Sequence, residues 1–155
     1  MVEAIRKYLR STSFRTFVLY PAVVLAWELW LNNGRLRFQP FFSPLIVWGY
    51  LQYRLVGRYR LRHGGGGPGM ATAPERLVIS GPYAYCRNPM YLGHVIFLAG
   101  VALTLRSELA ALIALMTAVW LHFRVRRDEQ RLAERFGPPY REYAARVKRW
   151  IPAIL

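Results

Sequence analysis

The chain has 155 residues, 54% of them apolar, yet it carries 22 Lys and Arg against 8 Asp and Glu, a formal charge of +14. That length suits one domain spanning residues 1–155, and the apolar share exceeds ordinary soluble usage. Apolar runs and positive charge are segregated along the chain, which argues against a nucleic-acid-binding module and for an all-α integral membrane protein with basic ends.

The N-terminal stretch to Ser13 is polar and basic, with Arg6, Lys7 and Arg10. The first apolar run, Phe14 to Leu31, lacks a following small-residue cleavage site and is read as a retained membrane helix. Pro21 should kink it, and Trp27 and Trp30 fit an interface belt near Glu28. After the turn NNGRLRFQP, a second helix is expected over about 41–57, losing its apolar character at Gln52 and Arg54. Arg60 to Pro74 is basic and then glycine-rich. Four successive glycines hold regular structure poorly, so this stretch reads as a linker or as a loop over a ligand.

Glu75 to Gly93, ERLVISGPYAYCRNPMYLG, joins turn residues, aromatic rings and polar groups to the start of a third helix. Asn88 is a good N-cap and Pro89 a good first helical residue, so this helix should run Pro89 to Leu105. Its N-terminus carries partial positive charge and free N–H donors, which suit a carboxylate or another anion. Arg106, Ser107 and Glu108 leave room only for a tight connection, so a fourth helix, about 109–125, must return antiparallel. HFRVRRDEQRLAERF continues in helical register until Gly137, Pro138 and Pro139 stop it. Tyr140 to Trp150 reads as a short basic amphipathic helix ended by Pro152.

The apolar runs are about 15 to 18 residues long, short of the roughly 20 that span a bilayer core. Terminal Arg and Trp can make up the difference by snorkelling. With four spans, nineteen of the 22 Lys and Arg fall on the side of the two termini and the central loop. The positive-inside rule then puts both termini in the cytoplasm of a multi-pass cytoplasmic-membrane protein.

The hairpin should bring Tyr83, Arg87, Asn88 and Tyr91 beside His122, Arg124, Arg126, Asp128 and Glu129. Together they offer a carboxylate, a guanidinium, an amide and aromatic rings, a set able to hold a small zwitterion. The sequence contains no P-loop, no His/Cys metal spacing and no Ser-His-Asp arrangement. His94 and His122 are lone histidines, His94 being more in keeping with a packed, hydrogen-bonded ring. Cys86, the one cysteine, excludes an intrachain disulfide and reads as a packed small hydrophobe.

LVISGPYAYCRNPMYLG, followed after a helical hairpin by DEQRLAERFGPPYREYAARVKRWIP, resembles the isoprenylcysteine carboxyl methyltransferase family, whose wider relatives include membrane phospholipid N-methyltransferases. The resemblance covers roughly Arg60 to Pro152. It implies S-adenosyl-L-methionine as cofactor, bound between 75–91 and 124–143. The implied contacts are Glu75, Arg76, Leu77 and Val78, largely through backbone, then Tyr83, Asn88, Pro89, Met90, Tyr91 and Asp128. It implies Arg124 as the arginine that faces the substrate. Glu129 would serve as proton acceptor if the methyl acceptor were an amine. Two positions depart from the family pattern: Asn88 stands where histidine is usual, and Asp128 replaces the first of two glutamates. Asparagine can donate and accept hydrogen bonds but cannot become charged. The expected activity is methyl transfer to a lipophilic acceptor, a carboxylate of an isoprenylcysteine-like molecule, or alternatively an amino lipid. An NADPH-dependent sterol-type reductase and a non-enzymatic basic scaffold on anionic lipid are the other readings. Lipid is the expected partner; no nucleic acid, metal or obligate protein partner is implied.

Overall fold

The computed structural model describes residues 11–67 and 73–150, and among these the chain is all-helical. The basic N-terminal residues before Ser11 and the proposed stop at Pro152 lie outside the described residues. Six helices follow in order: α1 (Thr12–Leu31), α2 (Ser43–Gly64), the single turn α3 (Pro82–Tyr85), α4 (Pro89–Leu105), α5 (Glu108–Phe136) and α6 (Pro138–Arg146). A 3-10 turn, Pro40–Phe42, precedes α2. Two compact units divide them. One takes residues up to Leu51 with Gly93–Ala118; the other takes Gln52–Leu92 with the chain from Val119 onward.

Local chemistry explains most boundaries, and where expectation and structure differ the cause is visible. In α1 a π turn over Arg15–Leu19 directly precedes Pro21, and Tyr20 N–H reaches the Arg15 carbonyl. The wider turn accommodates the donor that proline lacks, and the helix continues through Pro21 to Leu31. Helix α2 runs past the expected end near residue 57 to Gly64. Loss of apolar character there is not loss of helix: the His63 ring stacks on Tyr59 one turn earlier, at 4.0 Å between centroids. Between α4 and α5, Arg106 takes φ +47° and the Ser107 hydroxyl accepts the Ala110 N–H at 3.1 Å, an N-cap for α5. Helix α5 stays unbroken to Phe136, where Gly137 at φ +61° ends it. Helix α6 begins at Pro138 and stops at Arg146; Val147 is extended, so residues 147–150 are not helical as expected.

The first unit has an apolar core of Val24, Phe97, Leu98, Val101, Ala102, Leu105 and Ala110, with Phe17, Ile46 and Ile113 packed against it. His94 is fully buried there, its ring 4.8 Å from that of Phe17, in agreement with a packed histidine. Glu28 is also buried. Its carboxylate accepts the Asn32 side chain at 3.0 Å and lies 3.8 Å from Arg37, which fastens the end of α1. Within this unit α2 and α4 approach backbone to backbone. A Cβ at Gly49 would collide with the Phe97 amide nitrogen and the Gly93 carbonyl; one at Gly100 would lie 2.8 Å from the Ile46 nitrogen.

By length and composition α1 and α5 could each cross a membrane; α4 is apolar but shorter. Only 17% and 22% of the apolar windows of α1 and α5 are buried within the protein. Their exposed side chains include Trp30, Leu31, Leu112, Leu115, Met116 and Phe123.

Candidate active site

The second unit builds a cleft of about 910 Å³, part of it open to solvent. Its first wall comes from the glycine-rich segment. The Gly64 carbonyl accepts the N–H groups of both Glu75 (2.8 Å) and Arg76 (2.9 Å), closing the excursion between them. Gly65 and Gly66 sit at φ +67° and +76°, where a side chain is strained and where a Cβ would meet Glu75 and the Ala73 carbonyl. Arg60, near the end of α2, donates to the Gly67 carbonyl at 3.0 Å. The described glycines are therefore held in place; residues 68–72 lie outside the description. Leu77 and the buried Val78 follow as apolar wall.

Gly81 then turns the chain at φ +58° against the Tyr59 ring, which leaves no room for a Cβ. Helix α3 presents Tyr83 to the cleft, and Tyr143 from α6 donates to the Tyr83 carbonyl at 2.7 Å. Cys86 is buried, its thiol directed at the carbonyls of Arg149 and Trp150; burial raises its pKa, so it remains a packed thiol.

Asn88, Met90 and Tyr91, at the start of α4, line the cleft opposite Asp128, Arg131 and Leu132 of α5. The Tyr91 hydroxyl donates to Asp128 Oδ2 at 2.5 Å, and Arg124 Nε donates to the same hydroxyl at 3.1 Å. Arg124 lies 3.7 Å from Asp128, one turn away, with its guanidinium 5.4 Å from the Trp120 ring. The three side chains fix one another, so the Asp128 carboxylate enters the cleft already oriented.

Adjacent residues on a helix point about 100° apart, and Glu129 accordingly faces elsewhere. It is 9% exposed and does not line the cleft. Arg87 Nε approaches one oxygen at 3.1 Å and Arg149 Nη2 the other at 2.8 Å, while the Asn88 side chain donates at 3.0 Å. The anion beside the start of α4 is thus the chain's own.

Of the residues singled out from the sequence, Leu77, Val78, Tyr83, Asn88, Met90, Tyr91 and Asp128 share one cleft. Arg124 stands behind Tyr91, and Pro89 begins α4 with its carbonyl accepting Gln52 at 2.9 Å. Glu75 and Arg76 are exposed and do not line the cleft; their backbone N–H groups are spent on Gly64, which leaves only the carbonyls of their backbone for a ligand. His122 accepts the Trp150 indole N–H at 3.4 Å. Sequence reasoning did not single out Arg60, Tyr140 or Tyr143, which also line the cleft. The pair Tyr140 and Tyr143, three apart on a short helix, was the available signal for a shared face.

The cleft phenols are kept neutral. Burial pushes Tyr140 up to about 12, with Glu129 adding to the shift, and burial likewise raises Tyr83 and Tyr143. A phenol whose folded pKa is raised contributes stability that is complete below about pH 10 and is lost as the pH climbs towards 12. Alkaline titration should therefore show phenolate absorbance from these tyrosines only together with unfolding, and Tyr140→Phe should flatten the loss of stability across that interval. A normal, fully reversible phenolate titration in folded protein would contradict this.

The cleft is tyrosine-rich and carries a carboxylate oriented by Tyr91 and Arg124. Residues 55–138, more than half of the chain, match the phospholipid methyltransferase family, and the chain belongs to that family. It is similar to protein-S-isoprenylcysteine O-methyltransferase from Mus musculus, 35% identical over 80 residues, covering 50% of this chain and 28% of that one. The corresponding B form from Arabidopsis thaliana is 36% identical over 82 residues, 52% of this chain and 41% of that one. The cobalt-zinc-cadmium resistance protein CzcN of Cupriavidus metallidurans is 34% identical over 79 residues, 50% and 36% respectively. Each match thus spans less than half the length of the relative.

Proposed function

We propose that this chain is a multi-pass membrane enzyme that uses S-adenosylmethionine to methylate the carboxylate of a lipophilic acceptor. Family membership supports methyl transfer. The apolar windows of α1 and α5 that turn outward support lipid contact, since a soluble core helix would bury them. The bias of basic residues supports cytoplasmic termini and a site reached from that side.

The donor set fits the cofactor. Leu77, Val78, Met90 and Leu132 offer apolar wall for an adenine, Asp128 a carboxylate for a ribose hydroxyl or an ammonium, and Arg60 a donor for a carboxylate. When bound, the cofactor supplies a methyl group already activated on a sulfonium. The protein then has to orient the acceptor and exclude water. Arg124, held by Tyr91 and stacked near Trp120, would orient an acceptor carboxylate.

The observation that favours a carboxylate acceptor over an amine is the state of Glu129. An amine must shed a proton, whereas a carboxylate need not. Glu129, the candidate base, is gripped by two guanidiniums and an amide and does not line the cleft. Those contacts occupy both of its oxygens, and its side chain does not face the cleft in which an amine proton would have to be taken up. We assign it a positioning role.

The test is methyl transfer by the purified full chain in lipid nanodiscs, offered prenylated thiol acids and amino lipids. Turnover of the thiol acids is expected, with Arg124→Ala lowering kcat/KM by about a hundredfold, the scale of a lost charge-assisted contact that orients the reacting group. Turnover confined to amino lipids would overturn the carboxylate assignment. Protection against thermal unfolding by NADPH, with none by S-adenosylhomocysteine, would overturn the methyltransferase.

A further inference from the structure

We propose that residues 147–150 form a strap that completes the cofactor site, and that Arg149 is its positioning residue, acting through Glu129. The inference rests on the functional reading above and adds to it a segment outside the matched residues 55–138.

The chain leaves α6 at Arg146, turns extended at Val147 and comes back across the Arg87–Asn88 corner. Backbone and side-chain contacts fasten it, besides those of the Cys86 thiol. Arg87 N–H donates to the Lys148 carbonyl at 3.0 Å. The Asn88 side chain donates to the Arg149 carbonyl at 3.3 Å. The Arg149 guanidinium meets Glu129 through Nε at 2.9 Å and Nη2 at 2.8 Å, a two-point grip on one carboxylate oxygen. The Trp150 indole donates to His122.

Glu129 thus joins three pieces far apart in sequence: the Arg87–Asn88 corner, α5 and the strap. Asn88 lines the cleft, and Tyr91 lies one turn further along the same helix. Asp128 is the neighbour of Glu129 on α5. Releasing Arg149 frees one side of the Glu129 carboxylate and unpins the corner that presents Asn88. Arg149 does not line the cleft, so it touches no bound ligand. Its effect must pass through placement. A flexible lysine lacks the planar fork and would hold Glu129 less rigidly.

The experiment uses the full chain and two readouts. The first is calorimetry with S-adenosylhomocysteine. Arg149→Ala is expected to weaken binding about tenfold, the scale of one charge-assisted contact, and Arg149→Lys by less. In a Glu129→Gln background, Arg149→Ala should add little, because both act through one carboxylate. The exposed Arg146→Ala should bind as wild type. Kinetically, the Arg149 variants should raise KM for the methyl donor while kcat stays within about twofold. A merely structural defect would lower the amount of active protein, and so kcat, at constant KM. The second readout is amide exchange at Arg87, which needs no ligand and should accelerate in Arg149→Ala and Arg149→Lys. If Arg149→Ala does not fold, Arg149→Lys carries both readouts.

Wild-type affinity in Arg149→Ala, or full additivity with Glu129→Gln, overturns the proposal while leaving the methyltransferase intact. Failure of the wild-type chain to bind S-adenosylhomocysteine overturns the methyltransferase reading. Unchanged Arg87 exchange overturns the strap on its own.

Discussion

Asp128→Ala is expected to weaken S-adenosylhomocysteine binding by roughly 30- to 150-fold, the equivalent of about 2 to 3 kcal/mol for one charge-assisted contact. Its carboxylate lines the cleft and is aimed by the Tyr91 hydroxyl at 2.5 Å, with Arg124 close behind. Removing it deletes the ligand contact and also leaves Tyr91 without its acceptor. Tyr91→Phe keeps the ring and the carboxylate but loses the orienting hydrogen bond. It should cost about 1 kcal/mol, roughly fivefold in affinity. Calorimetry on the detergent-purified chain measures both. Equal affinity in wild type and Asp128→Ala would remove the cleft from consideration as the cofactor site.

The second large effect concerns the fold. Gly49→Val should lower the stability of the first unit by about 3 kcal/mol, the upper end of the overpacking range. The new Cβ would strike backbone atoms of Gly93 and Phe97, which cannot rotate away as a side-chain tip could. Helices α2 and α4 would have to separate, loosening the contact of Ile46 with the core around Phe97 and Val101. Thermal unfolding in detergent reads the loss directly. Gly34→Ala is the useful contrast, because nothing lies within 4 Å of its Cβ and only its φ of +81° opposes the substitution. That cost is about 1 kcal/mol. If both variants melted alike, close backbone packing at Gly49 would not be what holds α2 to α4.

The local signals read well because the forces that set them act over a few residues. Pro89 starts α4, the Arg106–Ser107 turn leads into α5, and Gly137 with Pro138 ends α5 and starts α6. Each is a matter of a missing N–H, a short hydroxyl or a left-handed φ, and each is written in one or two residue types. The pairing of Tyr91 with Asp128 follows almost as directly. Once the two-residue connection Arg106–Ser107 forces α4 and α5 antiparallel, the start of one meets the far part of the other.

What the sequence could not assign were the distant partners of Glu129 and of the Arg87–Asn88 corner. Asp128 and Glu129 are adjacent and chemically alike, and Glu129 is expected to accept a proton only if the methyl acceptor is an amine. A rotation of about 100° between them on α5 turns Asp128 to the cleft and Glu129 to Arg87 and Arg149. Arg149 falls in a stretch that reads as a basic amphipathic helix and Arg60 in a basic lead-in to the glycines, and a run of charge reads the same whether one of its members points to water or into a cleft. The end of α6 departs from the expected helix for a related reason. YREYAARVKRW is helix-compatible throughout, but its last residues find better partners as an extended strap on the Arg87–Asn88 corner. Local chemistry fixed where the helices start and stop. Only packing in three dimensions decided which of the many arginines meets a carboxylate, because that choice depends on distances that composition and spacing do not contain.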